Sequence, residues 1–510
     1  MNLLIDAWIP IQQTGLQEKI TLEELLCDDK EGDLCLPRDD MELACLQLLV
    51  VITQVLFTPE NKKALGHLYK QPMQKEIYLQ ACEGKYDWFD LNHPETPFMQ
   101  FRGVKISSSS LTGLEKLLAG LDDGTNKVFI NPQGLSDFLC GSCAAIALFN
   151  YANNCPNMGG GPGGGIKAGL RGNCPISVLV GGKNLRETVW LNVLTEESLA
   201  TLMPWYESTK NQRPNYIDRV SSGEKISINE LGLTRGLLWH PARFELLISR
   251  SLQKCSCCGD FGESYDSFRK EPFGYQINGA WPHPFSSRMF IVKKGEKIDY
   301  FPSFNSTAPT WSGLTKYFMT SFDHKSGFQE VPVIAQAKKF GIGPLQFIVG
   351  GYRSSKAMIE ERRHELLNLP LGWDKNTIIL DQTVRMCLGY KNALENALVK
   401  FGEGIKDKKN PQNSFLGAGT QLAPLYVNIF YQQTESLIYD ALATLNFSDP
   451  DNDLEQLYSQ LKKIVLSLFE QATAPYQQEP KMLKALAASR RLLNNKYLKD
   501  LEIPQGGSNE

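Results

Sequence analysis

Leu454-Glu455-Gln456-Leu457-Tyr458-Ser459-Gln460-Leu461-Lys462-Lys463-Ile464-Val465-Leu466-Ser467-Leu468 places Leu454, Leu457, Leu461, Ile464 and Leu468 at alternating steps of three and four. That spacing lines one face of a helix with apolar side chains. A helix with one apolar stripe must bury it against a partner. Leu394, Ala397, Leu398 and Phe401 share such a face, and Leu483, Leu486, Leu493 and Tyr497 nearly repeat it. A fourth candidate runs from Gln421 to Leu445, with Pro424 in its first turn. Four amphipathic segments with short links predict an antiparallel four-helix bundle after about residue 375. The link 402–420 carries Lys406, Lys408 and Lys409 among Gly and Pro and reads as a mobile basic loop.

Upstream the texture differs, with many Gly and Pro breaks between strand-like and helical segments. Asn2-Leu3-Leu4-Ile5 and Trp8-Ile9-Pro10 read as an opening strand. Met41 to Leu56 reads as a buried helix, with Asp39 and Asp40 as its capping residues. Segments 176–181, 289–294 and 345–350 are short and apolar and read as strands, whereas 237–250 reads as helical. The predicted fold class is α+β. A large mixed N-terminal domain (1–372) precedes an all-α C-terminal four-helix bundle (373–503) and a flexible tail (504–510). The length of 510 residues itself argues for more than one core.

Net charge is only −3, but residues 1–100 hold 8 Lys+Arg against 17 Asp+Glu, leaving the remainder net basic. A chain that binds a polyanion along its whole length would be basic throughout, so any nucleic-acid contact must be local or shared with other subunits. Met1 to Trp8 lacks a charged-then-apolar signal pattern, and no apolar run reaches membrane-spanning length. The 12 cysteines are too sparse for a disulfide scaffold, so a cytoplasmic location with reduced thiols and no membrane contact is expected.

Between Met158 and Arg171 the chain reads Met-Gly-Gly-Gly-Pro-Gly-Gly-Gly-Ile-Lys-Ala-Gly-Leu-Arg. Six glycines around Pro162 offer no side chains to pack. With Lys167 and Arg171 beside them, bare backbone amides suit close approach to phosphate or nucleic acid. A flexible loop would use the same residues. The phosphate-loop spacing fails, because Ala168 follows Lys167.

Cys140-Gly-Ser-Cys143 and Cys255-Ser-Cys257-Cys258 each offer a C-x-x-C half-site. Cys140, Cys143, Cys255 and Cys258 together would make a closed four-thiolate zinc site of structural kind. Buried reduced cysteines are the alternative, and Cys257 reads as a bystander. The six histidines are scattered, and His93 and His283 each precede a proline. Neither a nucleophile-elbow motif nor a nuclease-like acid cluster stands out, which weakens the case for an enzyme. Basic residues recur beside turn residues: Arg269-Lys270, Lys293-Lys294 before Gly295, and Arg353-Ser354-Ser355-Lys356 after Gly350-Gly351-Tyr352. Any one such tip reads as a solvated loop. Three of them with a glycine run raise a DNA-binding reading.

Taken together, these residues resemble the CasA family, the large subunits of the type I-E CRISPR surveillance complex Cascade. The resemblance runs nearly end to end. It is carried by Asn2-Leu3-Leu4-Ile5-Asp6 with Trp8-Ile9-Pro10, by Leu36-Pro37-Arg38-Asp39-Asp40-Met41-Glu42-Leu43, and by Glu115-Lys116-Leu117-Leu118-Ala119-Gly120. Ala145-Ile146-Ala147-Leu148-Phe149-Asn150, Lys254-Cys255-Ser256-Cys257-Cys258-Gly259 and Trp281-Pro282-His283-Pro284 continue it, with Gly350-Gly351-Tyr352-Arg353 and Glu361-Arg362-Arg363-His364.

The resemblance implies a non-catalytic subunit whose partners are crRNA, the other Cascade subunits, double-stranded target DNA and a helicase–nuclease. Such a subunit reads the protospacer-adjacent motif (PAM) from the minor groove and begins strand separation and R-loop formation. It implies a base-facing glycine loop at Gly163-Gly164-Gly165, with Gly164 the best match, and a crRNA-handle loop at Phe129 and Asn131. It puts a strand-opening hairpin at Arg353 to Ala357, with Ser355 and Lys356 at its tip. This chain departs from the family pattern in three places. Extra residues surround Gly159 to Pro162. Lys356 stands where a glutamine is expected. Pro272 stands where a lysine finger is expected, with Arg269 or Lys270 as substitutes. A zinc-stabilised nucleic-acid-processing enzyme and a nucleotide-binding protein remain the competing readings.

Overall fold

The computed structural model describes every residue except Asp29, 106–110, 122–133, 158–166, 219–224, Asn305, 356–357, 406–415 and 503–510. The chain forms two compact units. The first comprises Met1–Ser306, Lys316–Gly341 and Gln346–Leu366; the second comprises Thr307–Thr315, Ile342–Leu345 and Leu367–Glu510. The fold is α+β, with long helices at the C-terminal end.

At the centre of the first unit lies the helix Asp39–Leu56, apolar on nearly every face. Met41, Leu43, Ala44, Cys45, Leu48, Leu49, Val51 and Ile52 are all buried, the behaviour of a helix with core on all sides. It packs against the helix Gly141–Asn154, whose Ala144, Ala145 and Ala147 allow close approach. Short strands surround this pair. Ser264–Pro272 pairs with Ala242–Ile248, Thr112–Gly113 and Leu139–Cys140. Ser177–Gly181 pairs antiparallel with Leu345–Ser355, which lies beside Met358–Leu369. The buried strand Ser177–Gly181 is continuously apolar from Val178 to Val180, as a strand covered on both faces must be.

Two local expectations are corrected. Asn2 makes an isolated bridge to Asp90, Leu3 to Ile5 form a turn, and the first strand is Ile9–Gln13. The amide of Leu4 donates to Asn2 Oδ1 (3.0 Å) and the amide of Asn2 to Asp6 Oδ2 (2.7 Å), so polar side chains outcompete a ladder for the backbone. The stretch 237–250 is mostly the strand Ala242–Ile248, because Phe244 and Leu246 gain a sheet partner and an aromatic cluster from distant segments.

In the second unit the helix Thr377–Ile405 packs against Leu416–Thr444, Asp451–Thr473 and Pro480–Leu492. Leu394, Ala397, Leu398 and Phe401 are fully buried. In Asp451–Thr473 the buried stripe runs Leu457, Leu461, Val465, Leu468, so Val465 rather than Ile464 takes the inner seat. The second helix starts at Leu416, upstream of the expected Gln421, which leaves Pro424 inside it at the loss of one backbone bond. Lys406, Lys408, Lys409 and the tail 504–510 lie outside the described residues. No helix among the described residues is long and apolar enough to cross a membrane.

Burial gives the first unit a pH dependence. His240 is fully buried beside Phe244, and loss of hydration lowers its pKa to about 3. Unfolded, it would titrate near its usual value of about 6.5. Below that value the unfolded chain takes up a proton that the folded chain refuses. Stability is therefore complete above about pH 6.5 and falls as pH drops toward about 3, by up to about 1.4 kcal/mol per pH unit. Burial and the nearby Arg171 cation push His283 in the same direction. The apparent melting temperature should fall steadily from about pH 7 to about pH 5, and replacing His240 with glutamine should flatten part of that slope. A melting temperature constant over this interval contradicts the account.

Candidate metal centre and nucleic-acid interface

Sheet pairing brings the two C-x-x-C pairs together across more than 100 residues of sequence. Ser264 pairs with Cys140, which sets the knuckle between Gln253–Lys254 and Phe261–Gly262 over the start of the helix Gly141–Asn154. The Ser256 amide donates to the Phe138 carbonyl (2.8 Å) and the Phe138 amide to Ser256 Oγ (3.1 Å), which locks the two segments. Sγ atoms of Cys140, Cys143, Cys255 and Cys258 lie within 4.8 Å of one another, and the Cys140–Cys258 separation is 3.5 Å. A tetrahedral site with zinc–sulfur bonds of about 2.3 Å has edges of about 3.8 Å, so the four thiols fit that metal. The Cys140 amide, at the helix start, donates to Cys255 Sγ (3.3 Å). The facing thiols of Cys140, Cys143 and Cys258, with this amide behind them, lower the Cys255 pKa below the usual thiol range against the opposing effect of burial. Cys257 stands outside the four-sulfur group.

Lys19 completes this centre, and nothing in the sequence signalled it. Its hairpin, Ile9–Gln13 with Leu16–Ile20, carries Nζ to 3.5 Å from Cys140 Sγ and 3.6 Å from Cys258 Sγ, with Asp260 Oδ2 at 2.5 Å. Burial opposes the charge, yet the facing sulfurs and Asp260 raise its pKa above the usual lysine value.

The strand downstream of the glycine run and the two strands of the hairpin belong to one sheet. Gly163, Gly164 and Gly165 lie outside the described residues, but both flanks of the run are clasped. Asn157 Oδ1 accepts from the Ala168 amide (2.5 Å), and the Asn157 amide donates to Asn173 Oδ1 (2.8 Å). A Cβ on Gly169 would lie 1.8 Å from the Ala152 carbonyl oxygen, so only glycine fits where this flank crosses the helix end. From there the chain enters Ser177–Gly181, which pairs with Leu345–Ser355, the strand leading to the hairpin tip. A Cβ on Gly350 would meet Leu43 Cδ2 at 2.4 Å, so that strand lies directly on the central helix.

Several cations expected to face DNA are engaged within the protein. Lys167 Nζ donates to the Tyr275 carbonyl (2.9 Å). Arg171, expected beside a bound anion, is buried at 4% exposure and bonded to Ser177, Ser286, Asn153 and Asn154. Arg269 pairs with Glu245 (3.2 Å). Arg353 pairs with Glu361 (2.8 Å) and Glu360 on the neighbouring strand. Lys270 lies half-buried on the same strand as Arg269, which ends at the exposed Pro272. Lys293 and Lys294 are exposed at a hairpin turn, where Lys294 (φ 52°) precedes Gly295 (φ 83°). Ser355 is half-buried at the strand end. Lys356, Ala357, Phe129 and Asn131 lie outside the described residues.

Asp40 proves to be more than a capping residue. The helix begins without a side-chain cap, and the buried Asp40 carboxylate accepts from Arg38 (2.7 and 3.0 Å) and from Tyr352 Oη (2.8 Å). Tyr352 sits over 300 residues downstream, so no local signal reveals it.

Similarity to known proteins agrees with this architecture. A Thermus thermophilus CasA superposes with a TM-score of 0.72 at 18% identity, covering 98% of this chain and 99% of that chain. Thermobifida fusca Cse1 does so with a TM-score of 0.74 at 16% identity, covering 98% of each chain. A chain of a structure described as a CRISPR RNA-guided surveillance complex matches with a TM-score of 0.62 at 13% identity, covering 97% of this chain and 99% of that one. The family description "CRISPR-associated protein Cse1" fits residues 2–468, and the chain therefore belongs to the Cse1 family.

Proposed function

We propose that this chain is the large, non-catalytic subunit of a crRNA-guided Cascade complex acting in the cytoplasm. In that role residues 1–372 recognise DNA and residues 373–503 form the bundle domain. The subunit reads the motif flanking a target from the minor groove, opens the first base pairs, starts the R-loop and helps recruit a helicase–nuclease. Supporting this reading above all, the strand that follows the glycine run, Ser177–Gly181, shares one sheet with the strands leading to residues 356–357, so a reading loop and an opening hairpin can act at nearby base pairs.

The division of labour is physical. Guide pairing carries the long sequence, so the protein need only read a short flank. The minor groove presents a degenerate pattern, which suits backbone at Gly163, Gly164 and Gly165 better than a long side chain. Lys356 would prop the separated strands at the junction. Exposed Lys293 and Lys294 offer phosphate contacts, and Phe129 and Asn131 would face the crRNA handle. Lys167, Arg269, Lys270, Arg353, Ser355 and Ala357 would contact DNA around the reading loop and the hairpin, with Arg269 or Lys270 in place of the lysine finger. Cys140, Cys143, Cys255 and Cys258 would hold one zinc ion, which cross-links distant segments and leaves no position for substrate.

The test is binding of the reconstituted guide-bearing complex to duplex targets with randomised flanks. A restricted set of bound flanks, lost when this subunit is omitted, is the expected result. Uniform binding to all flanks contradicts it, and metal-dependent cleavage by the purified chain would favour a processing enzyme.

A further inference from the structure

A chain of buried hydrogen bonds crosses the first unit from the glycine run to the hairpin. Arg171 Nη2 donates to Asn154 Oδ1 (2.9 Å), and Asn154 Nδ2 to Asn150 Oδ1 (2.9 Å). Asn150 Nδ2 donates to Tyr352 Oη (2.7 Å), and Tyr352 Oη to Asp40 Oδ2 (2.8 Å). Every donor points the same way, from a guanidinium to a carboxylate. Arg171, Asn154, Asn150, Tyr352 and Asp40 are each at most 6% exposed. Bonds aligned in this sense polarise one another, and breaking one link strands buried polar groups on both sides of the gap.

The two ends of this chain explain its placement. Arg171 follows the glycine run and also holds Ser177 Oγ and Ser286 Oγ (2.8 Å each). No carboxylate pairs with it among the bonds it makes. Nη2 also reaches the Asn153 carbonyl, so Arg171 staples the far flank of the run to the helix that leads into the near flank. Tyr352 lies on the strand that ends at Ser355, one residue before the hairpin tip. Asp40 binds Arg38, and Arg362 on the second hairpin strand reaches Asp39 (3.2 Å) and Asp40 (3.9 Å). The relay therefore ties the root of the glycine run to both strands of the hairpin. A scaffold needing only stability would fill this space with apolar side chains, because a buried polar chain contributes little net stabilisation. Directional bonds add a fixed geometry.

We propose that Arg171, Asn154, Asn150, Tyr352 and Asp40 form a positioning relay that holds the glycine run and the hairpin in one register, so that engagement of a flank sets the hairpin against the adjacent base pair. The inference rests on the flank-reading function above. Its members touch no DNA. They act through the two elements that do.

The relay predicts that flank identity controls duplex opening even when binding is saturated. In the assembled complex, opening is followed by fluorescence of 2-aminopurine placed next to the flank, at saturating complex, on a preferred and a disfavoured flank. Wild type should open the preferred flank about tenfold faster, within the range that coupling between sites supplies. Tyr352→Phe keeps the ring and removes the hydroxyl that joins Asn150 to Asp40. It should bring that ratio to within about twofold, with zinc content close to wild type and a melting temperature lowered by a few degrees at most, because it strands the Asn150 amide and takes a donor from one Asp40 oxygen. Arg171→Lys, at the other end, should do the same, since a lysine cannot span Ser177, Ser286 and Asn154 together. A target with a pre-opened bubble should open equally fast with all three proteins. A merely structural role would lower melting temperature and leave the ratio intact, and that outcome overturns the relay. Should Tyr352→Phe fail to fold, Arg171→Lys decides alone, and an undiminished ratio in it overturns the relay. Wild type showing no flank dependence in binding would refute the function and the relay together, whereas flank-dependent binding with flank-independent opening would refute the relay alone.

Discussion

Replacing Cys255 with serine is expected to release one equivalent of zinc and produce the largest loss of stability of any single change in the first unit. Cys255 receives the Cys140 amide and lies among the other three sulfurs, so its loss opens the closed site. Structural zinc contributes folding free energy directly, with apparent values of about 10–16 kcal/mol in zinc-finger peptides. Here the loss is smaller, because strand pairing at Ser264–Cys140 and the Phe138–Ser256 bonds survive without metal. A destabilisation beyond about 4 kcal/mol belongs to the range reached when a bound metal is removed. At about 2–4 °C per kcal/mol, the apparent melting temperature should fall by roughly 10 °C. Cys257→Ser should keep its metal, since that thiol stands outside the cluster. Metal analysis of protein purified without chelator decides the matter. A native chain free of zinc, with Cys140, Cys143, Cys255 and Cys258 all open to alkylation, would rule the metal centre out.

Gly164→Asp is expected to abolish flank-dependent DNA binding by the assembled complex while leaving the melting curve unchanged. The substitution adds bulk where backbone must enter a narrow groove, and adds negative charge between two lines of phosphates. A single wrong contact in a specific site costs about 1–3 kcal/mol, and steric exclusion adds to repulsion, so a loss of about 100-fold or more is expected. The fold should tolerate the change, because the clasp at Asn157, Ala168 and Asn173 and the crossing at Gly169 lie outside the substituted position. Gly164→Ala should weaken binding less, having bulk without charge. The measurement is a titration of flank-bearing duplex with guide-loaded complex. Equal affinity of Gly164→Asp and wild type would defeat the assignment of this loop.

The bundle was legible in the sequence because its signal is local. Leu394, Ala397, Leu398 and Phe401 fall on one face by arithmetic alone, and each is buried where that face meets the other helices. The four-cysteine group was legible for a related reason. C-x-x-C spacing constrains chemistry whatever the intervening chain does, and the four sulfurs converge although two sheet strands were needed to unite them. The central helix was legible from its apolar composition. The local misreadings have different causes. Leu3 to Ile5 is held in a turn by the nearby Asn2 and Asp6 side chains, whereas 237–250 became mostly strand because a distant segment supplied its sheet partner.

Charge was the least legible property. Arg171, Arg269 and Arg353 look alike in sequence, as cations beside turns. Tertiary structure buries the first among amides and hydroxyls and pairs the others with Glu245, Glu360 and Glu361. Lys19 beside the four-cysteine group and the chain from Arg171 to Asp40 were likewise decided by folding alone. The physical reason is range. Helical periodicity and metal-ligand spacing are written within a few residues, so the sequence determines them. A charge is defined by what faces it, and at Lys19, Arg171 and Asp40 at least one such partner arrives from over 100 residues away, when the sheets and the two central helices close.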